Sequence, residues 1–335
     1  MIRGQQARWT LAGIAIGVLF LLIAGRGLDY AEVLAVLATI KVHEAALATL
    51  ATLGFMALKT LRWELILRPG IVAHFGFLHR VTYVGSAANL MIVHSGELVR
   101  AMTVGRRCGV ASSAVLASVG IERVFDMLTV LTFLGLLVFV GAEMTHSLTV
   151  AAAVAAGLAM VALILMFGLL RPSPIRQALA RTALIVLPAP LGTWLSRQVQ
   201  RGLLGLAALS NPLTLLRTFV LSIVQWSCII AGIWLTVRAV GHEVTVPAAI
   251  GVWVLMVLGL TLPSSPAQLG TTQLAYMLGL SLTETNDEVA FAASVVYVCT
   301  VNLPIMVVGA VSWLMATGSE REARSTGAQS RADAS

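Results

Sequence analysis

The amino-acid sequence predicts an all-α fold, a polytopic transmembrane helix bundle. Three observations predict it. Of 335 residues, 58% are hydrophobic and only 11% charged, with a mean hydropathy of +0.92, whereas a soluble domain carries about 25% charge. Apolar runs recur along nearly the whole chain, and a span needs about 20 such residues. The period-2 alternation of a membrane β-barrel is absent.

The runs are taken in order. Trp9–Ala24 follows Arg3 and Arg8 and superficially resembles a signal peptide, but no A-x-A-like site follows, so an uncleaved first span is expected. Glu44–Leu61, Ile121–Gly141, Leu148–Leu170, Leu216–Val237, Ala248–Leu262 and Val289–Met315 are the further spans. Shorter or interrupted runs are Val81–Val93, Glu97–Val104 and Leu269–Leu282. Residues 1–316 form one membrane domain on this reading. The tail from Thr317 to Ser335, rich in Ser, Ala and Arg, is expected to be a disordered cytoplasmic segment.

Two of these regions are broken in the middle. Residues 89–100 read NLMIVHSGELVR, and residues 262–273 read LPSSPAQLGTTQ. Irregular backbone at membrane depth survives only where protein or a watery cavity satisfies its N–H and C=O groups. A pair of such breaks, one in each half, points to a binding site at a repeat interface. In the first, Asn89 and Gly96 mark the interruption, with Gly96 expected at a sharp turn and Glu97 opening a short helix. In the second, Pro263 and Pro266 stop the incoming helix. Ser264, Ser265 and Gly270 then leave free N–H groups, and a half-helix from near Ala267 would aim its positive end at an anion such as a lipid phosphate.

Charge orients the bundle. With the N-terminus inside and one hairpin in each half, all but four of the 22 basic residues collect on the inside; Arg26, Lys41 and Arg238 fall outside and Arg123 in a span. Lys59, Arg62 and Arg100 are counted inside, and Trp9, Trp63 and Trp313 are expected in an inner interfacial belt. One break then dips in from each side, giving two re-entrant hairpins related by an inverted repeat. The Arg171–Arg217 stretch, basic and without acidic residues, suits the anionic inner leaflet. The net charge of +7 follows from these loops and requires no nucleic acid.

Chemistry-bearing residues are few. Glu122, Arg123 and Asp126 lie within five residues of one span, and each charge costs about 2.5–3.5 kcal/mol at the bilayer centre. They must pair with one another, face a cavity or lie near the interface. Two readings stand: an ion cluster that locks packing, or a headgroup site. The helix carrying them starts either near Ala111 or near Ile121. Glu97 is a partner for Arg100, Arg123 or a cationic headgroup, or simply a helix N-terminal carboxylate. Cys108, Cys228 and Cys299 match no metal or redox spacing, and no Gly-rich phosphate loop or H-E-x-x-H motif is present. No cofactor is expected.

On the residues RW at 62–63, HSGELVRA at 94–101, GVASSAVLA from Gly109, ERVFD at 122–126 and LPSSPAQLGTTQ at 262–273, the chain resembles the flippase-like transmembrane domain of lysylphosphatidylglycerol synthases and their stand-alone relatives. The resemblance covers the chain to about residue 316. It implies a bundle with two re-entrant segments that moves lipids or lipid-linked sugars between leaflets. Ala267-Gln268 stands where the family usually has Gly-Gly or Gly-Tyr, and Gln273 replaces a common Glu. The aminoacyl-transferring domain of bifunctional relatives has no counterpart in this sequence, so the resemblance does not imply lipid synthesis.

The expectation is a flippase-like protein of a bacterial or archaeal inner membrane, with both termini cytoplasmic, handling an anionic lipid. Glu97, Arg100, Glu122, Arg123 and Asp126 from the first half and Ser264, Ser265, Gly270 and Gln273 from the second are the candidate site. A non-transporting scaffold or regulator is the rival reading and a membrane-embedded transferase the third. Membrane lipids are the expected partners, with a homo-oligomer or a membrane enzyme as further candidates.

Overall fold

The computed structural model describes residues 17–68, 70–92, 95–140, 211–259, 266–281 and 285–316, with isolated positions between them. The expected span Leu148–Leu170, the Arg171–Arg217 stretch, His94, Pro263, Ser264, Ser265 and the tail lie outside those residues or almost wholly so. Residues 17–25 are helical, and nine further helices follow among the described residues. These are α1 (Tyr30–Ala38), α2 (Val42–Leu67), α3 (Phe75–Met91), α4 (Ser95–Cys108), α5 (Ser112–Phe139), α6 (Pro212–Ala239), α7 (Val246–Gly259), α8 (Thr271–Leu280) and α9 (Asp287–Ala316). The architecture is an all-α bundle, and α2, α6 and α9 are each long and apolar enough to cross a membrane. At 28 residues α5 is as long as α6, but it carries Glu122, Arg123 and Asp126.

Local chemistry sets the helix starts. Asn211 accepts from the Leu213 and Thr214 N–H groups ahead of Pro212, an N-cap followed by proline at the first helical position. Asp29 caps α1 and Asn286 caps α9 in the same way. Buried hydroxyls inside the apolar helices are satisfied by their own backbone. Thr52, Thr60, Thr82 and Thr129 each donate to the carbonyl four residues earlier, so they bring no unpaired polar group into the core.

The helices pack as a central pair with two helical hairpins around it. Helices α2 and α6 lie against each other along most of their length. Helices α3 and α4 form the first hairpin, which leans on α5; α7 and α8 form the second, which leans on α9. The main apolar core joins Phe55 and Met56 of α2, Phe133 of α5, Ile233 of α6, Trp253 of α7 and Tyr276 of α8. Leucine and valine side chains on the outer faces of α6 and α9, such as Leu213, Leu216, Val307 and Val311, stay exposed, as lipid-facing residues do.

Of the two starts open for the charged helix, α5 takes the one near Ala111, beginning at Ser112, so Glu122 sits ten residues, about 15 Å, into it. Other expectations are corrected. Gly96 lies inside α4 and makes no turn; a Cβ there would run into the Gly85 carbonyl oxygen, so its role is to let α3 and α4 touch backbone to backbone. Trp63 is fully buried, donating its indole N–H to Ser118 Oγ at 3.0 Å, and so is no part of an interfacial belt. Lys59, Arg62 and Arg100 belong to the interior rather than to inner loops.

A buried ion network beside a cavity shared by both hairpins

Three arginines and three carboxylates meet where α2, α4 and α5 converge. Arg62 of α2 is only 1% exposed. Its Nη1 donates to Asp126 Oδ1 at 2.7 Å and to Ser222 Oγ at 2.9 Å, and its Nη2 lies 3.7 Å from Glu122 Oε1. Arg100 of α4 pairs with Glu122 Oε2 at 2.8 Å while its guanidinium stacks 3.8 Å from the Trp63 ring centroid. Arg123 of α5 reaches Glu97 Oε1 at 2.6 Å and Asp126 Oδ2 at 3.5 Å. Trp226 of α6 donates its indole N–H to Asp126 Oδ1 at 2.9 Å.

The geometry explains how six charges are tolerated. Each carboxylate faces at least one guanidinium, so the unpaired cost of a buried charge is avoided. Glu122 and Asp126, four residues apart on α5, present one face toward Arg62. Arg123 reaches Glu97 on the first hairpin, one of the partners the sequence offered for that carboxylate, and keeps Asp126 three residues on at 3.5 Å; Glu122 pairs instead with Arg100 and Arg62. Among residues that carry the network, Arg62, Ser222 and Trp226 were not proposed as site residues from the sequence. Their partners are 64, 160 and 100 residues away along the chain. The visible signal was an arginine inside an apolar run.

Next to this network lies a cavity of about 180 Å³. Its polar wall is Lys59, Ser86, Asn89, Glu97, Arg123, Gln268 and Asn302, and its apolar wall includes Phe55, Trp226 and Trp253. Asn89 and Glu97 come from the first break and Gln268 from the second. Of the residues expected to form the site, Glu97 and Arg123 line the cavity. Arg100, Glu122 and Asp126 lie in the network behind it.

The second break has its own construction. Pro266–Gln268 is a single 3₁₀ turn, with Ala267 and Gln268 both left-handed at φ +57° and +58°. Such φ values cost an L-residue about 1–2 kcal/mol. Asn302 holds the turn, donating its side-chain N–H to the Ala267 carbonyl at 2.7 Å. Asn302 ends a five-residue π-helical stretch in α9, Val298–Asn302, a feature frequent at functional sites. Helix α8 starts at Thr271, four residues later than expected. Gln273 folds back so that its Oε1 accepts the Gly270 N–H at 2.6 Å, as in a capping box. Gly270 has φ +87°, and a Cβ on it would strike the Gly17 carbonyl. Gln273 and Gly270 therefore serve the helix start and its packing against the N-terminal helix, while Gln268 faces the cavity.

Comparison with known proteins places this geometry. The family model described as the lysylphosphatidylglycerol synthase TM region matches residues 10–309. The chain belongs to the lysylphosphatidylglycerol synthase TM region family. The match takes in α1 to α8, the ion network and both breaks, so the protein is a multi-pass membrane protein of that family. It is also similar to the glycosyltransferase AglD of Haloferax volcanii, 31% identical over 140 residues, which is 41% of this chain and 22% of the archaeal protein. The chain thus aligns with about a fifth of that relative's length. Among the described residues, no group of three or more His, Cys, Asp or Glu side chains is placed to hold a metal.

Proposed function

We propose that this protein moves an anionic phospholipid or lipid-linked sugar between membrane leaflets, with the headgroup passing through the cavity between the two hairpins. One observation carries the reading: residues of both sequence breaks, Asn89 and Glu97 with Gln268, line the same polar cavity. Family membership supports handling of lipid. The finer picture is of α3–α4 and α7–α8 as re-entrant hairpins entering from opposite faces in inverted repeat, with both termini cytoplasmic. Cysteines at Arg181, Arg201 and Ser325, in a background without Cys108, Cys228 and Cys299, should resist labelling from outside, while one at Asn286 should react. Labelling at Ser325 from outside would overturn that topology.

A specific observation favours a second reading. The Glu122–Arg100 and Asp126–Arg62 pairs form a tight lock, which suits a non-transporting scaffold or regulator of lipid enzymes. Leaflet-sidedness assays in proteoliposomes, with labelled lipids of several headgroups, decide between them. Transport predicts that an anionic lipid equilibrates across the bilayer well above the protein-free rate. If no lipid moves faster than in empty vesicles, the scaffold reading replaces transport.

A further inference from the structure

We infer that Lys59 is the anchor for a monoanionic phosphodiester headgroup, making the cavity selective for lipids of single negative charge over zwitterionic ones. The inference rests on the reading of the cavity as a headgroup site and adds its charge selection.

The charge balance carries it. Around the cavity the carboxylates Glu97, Glu122 and Asp126 are matched by Arg62, Arg100 and Arg123. Among the described residues, Lys59 is the cation that no ion pair takes up. Its ammonium donates to Ser86 Oγ at 3.1 Å and lies 5.7 Å from the Phe55 ring centroid, and among the described residues no carboxylate stands within ion-pair distance of it. Lys59 lies eight residues before the end of α2, about 12 Å along the axis, too far in for simple placement at a helix end. An ionisable residue held inside a membrane bundle and facing a cavity marks a substrate path.

The surroundings fit a phosphodiester. Lysine binds phosphate as a point charge with three donors, one of which Ser86 occupies. The Glu97 carboxylate beside it is held by Arg123 at 2.6 Å, which limits its repulsion of an anion. Asn89, Gln268 and Asn302 supply neutral hydrogen-bonding groups for headgroup hydroxyls, and Trp226 and Trp253 supply an apolar wall for the glycerol end. A single bound negative charge balances the described charges of the cluster. A zwitterion would bring a second cation into a site that already holds one too many.

The test is binding in detergent by calorimetry, using dihexanoyl-phosphatidylglycerol, dihexanoyl-phosphatidylcholine and glycerol 3-phosphate as probes. Wild type should bind the anionic lipid at least about 10-fold more tightly than the zwitterionic one. Lys59→Met should lose about 10- to 100-fold for the anionic lipid, the scale of one charge-assisted contact, with little change for the zwitterionic one. Lys59→Arg should keep binding within a few-fold. Ser86→Asp places a carboxylate at the ammonium, so it should also lose anionic-lipid binding while keeping or raising the thermal midpoint. That last variant separates lost charge from lost fold. Equal binding of both lipids by wild type, or Lys59→Met and Ser86→Asp variants that bind like wild type, would overturn the inference. Tighter binding of glycerol 3-phosphate than of the lipid would overturn the lipid as guest in favour of a soluble phosphate. Lipid movement without charge preference would leave transport standing and remove this inference; Lys59-dependent binding with no lipid movement would do the reverse.

Discussion

Replacing Arg62 with methionine tests whether the ion network holds the bundle together. The substitution keeps the apolar stem and removes the guanidinium. Asp126 loses its 2.7 Å donor, Ser222 loses a partner, and Glu122 loses the cation 3.7 Å away. Two arginines then face three carboxylates in a core from which Arg62 is almost wholly excluded from solvent. Breaking a buried pair by removing one partner costs about 3–5 kcal/mol. At about 2 °C per kcal/mol for a chain of this size, the thermal midpoint in detergent should fall by about 6–10 °C. Asp126→Asn keeps the shape and the oxygen that accepts from Trp226 while removing the surplus charge. The double variant Arg62→Met/Asp126→Asn should therefore be more stable than the sum of the single effects implies, by at least about 1.5 kcal/mol. The readout is monodisperse protein remaining after heating, with unfolding treated as a rate if it proves irreversible. An Arg62→Met protein within 2 °C of wild type, or strictly additive effects, would refute the reasoning and make the network peripheral.

Three other outcomes follow from neighbouring geometry. Arg123 is 49% exposed at its side chain, so Arg123→Ala should cost only about 1–2 kcal/mol; partial recovery should come from Glu97→Gln, its 2.6 Å partner, and thermal midpoints of the pair check this. Ala267 is left-handed at φ +57°, so glycine removes about 1–2 kcal/mol of strain against about 0.4–1 kcal/mol of added unfolded-state entropy; Ala267→Gly should be neutral or slightly stabilising and Ala267→Val clearly destabilising. Gly270→Leu should abolish folded protein or transport, because even a Cβ there meets the Gly17 carbonyl, whereas Gly157→Leu should be silent, since a Cβ at Gly157 meets nothing within 4 Å; expression and uptake compare the two.

The long apolar helices α2, α6 and α9 were legible because composition and run length dominate in a membrane. The i,i+4 spacing of Glu122 and Asp126 likewise announced one charged face. What stayed hidden was long-range. Nothing local in the sequence links Arg62 to Asp126 across 64 residues or Trp226 to it across 100. Lys59 was readable only as an inward charge, because its meaning depends on subtraction: it stands out once the three arginines are known to be paired. Gly96 was misread because glycine serves both turns and close helix contacts, and only the facing Gly85 on α3 decides between them. The left-handed backbone at Ala267 and Gln268 was invisible because neither residue advertises it, and the resemblance to a family with glycine there was its one trace.

The two hairpins are attached with unequal strength, and that bears on which of them moves if access alternates. The first hairpin is fixed through α4 by two ion pairs, Arg100 to Glu122 and Glu97 to Arg123. The first of these is deeply buried and costs about 3–5 kcal/mol to break. At the cavity, the polar contact from Asn302 to the Ala267 carbonyl of the second hairpin is a neutral hydrogen bond, worth about 0.5–1.5 kcal/mol. The second hairpin's own backbone carries left-handed strain that release would relieve. Breaking the Arg100–Glu122 pair costs roughly 2–4 kcal/mol more than breaking the Asn302 bond, and we expect the second break to open more readily. Amide hydrogen exchange should then be faster at 266–271 than at 95–100, and Asn302→Ala should speed the former without touching the latter. Slower exchange at the second break than at the first would assign the motion to the wrong hairpin and with it the order in which the site opens.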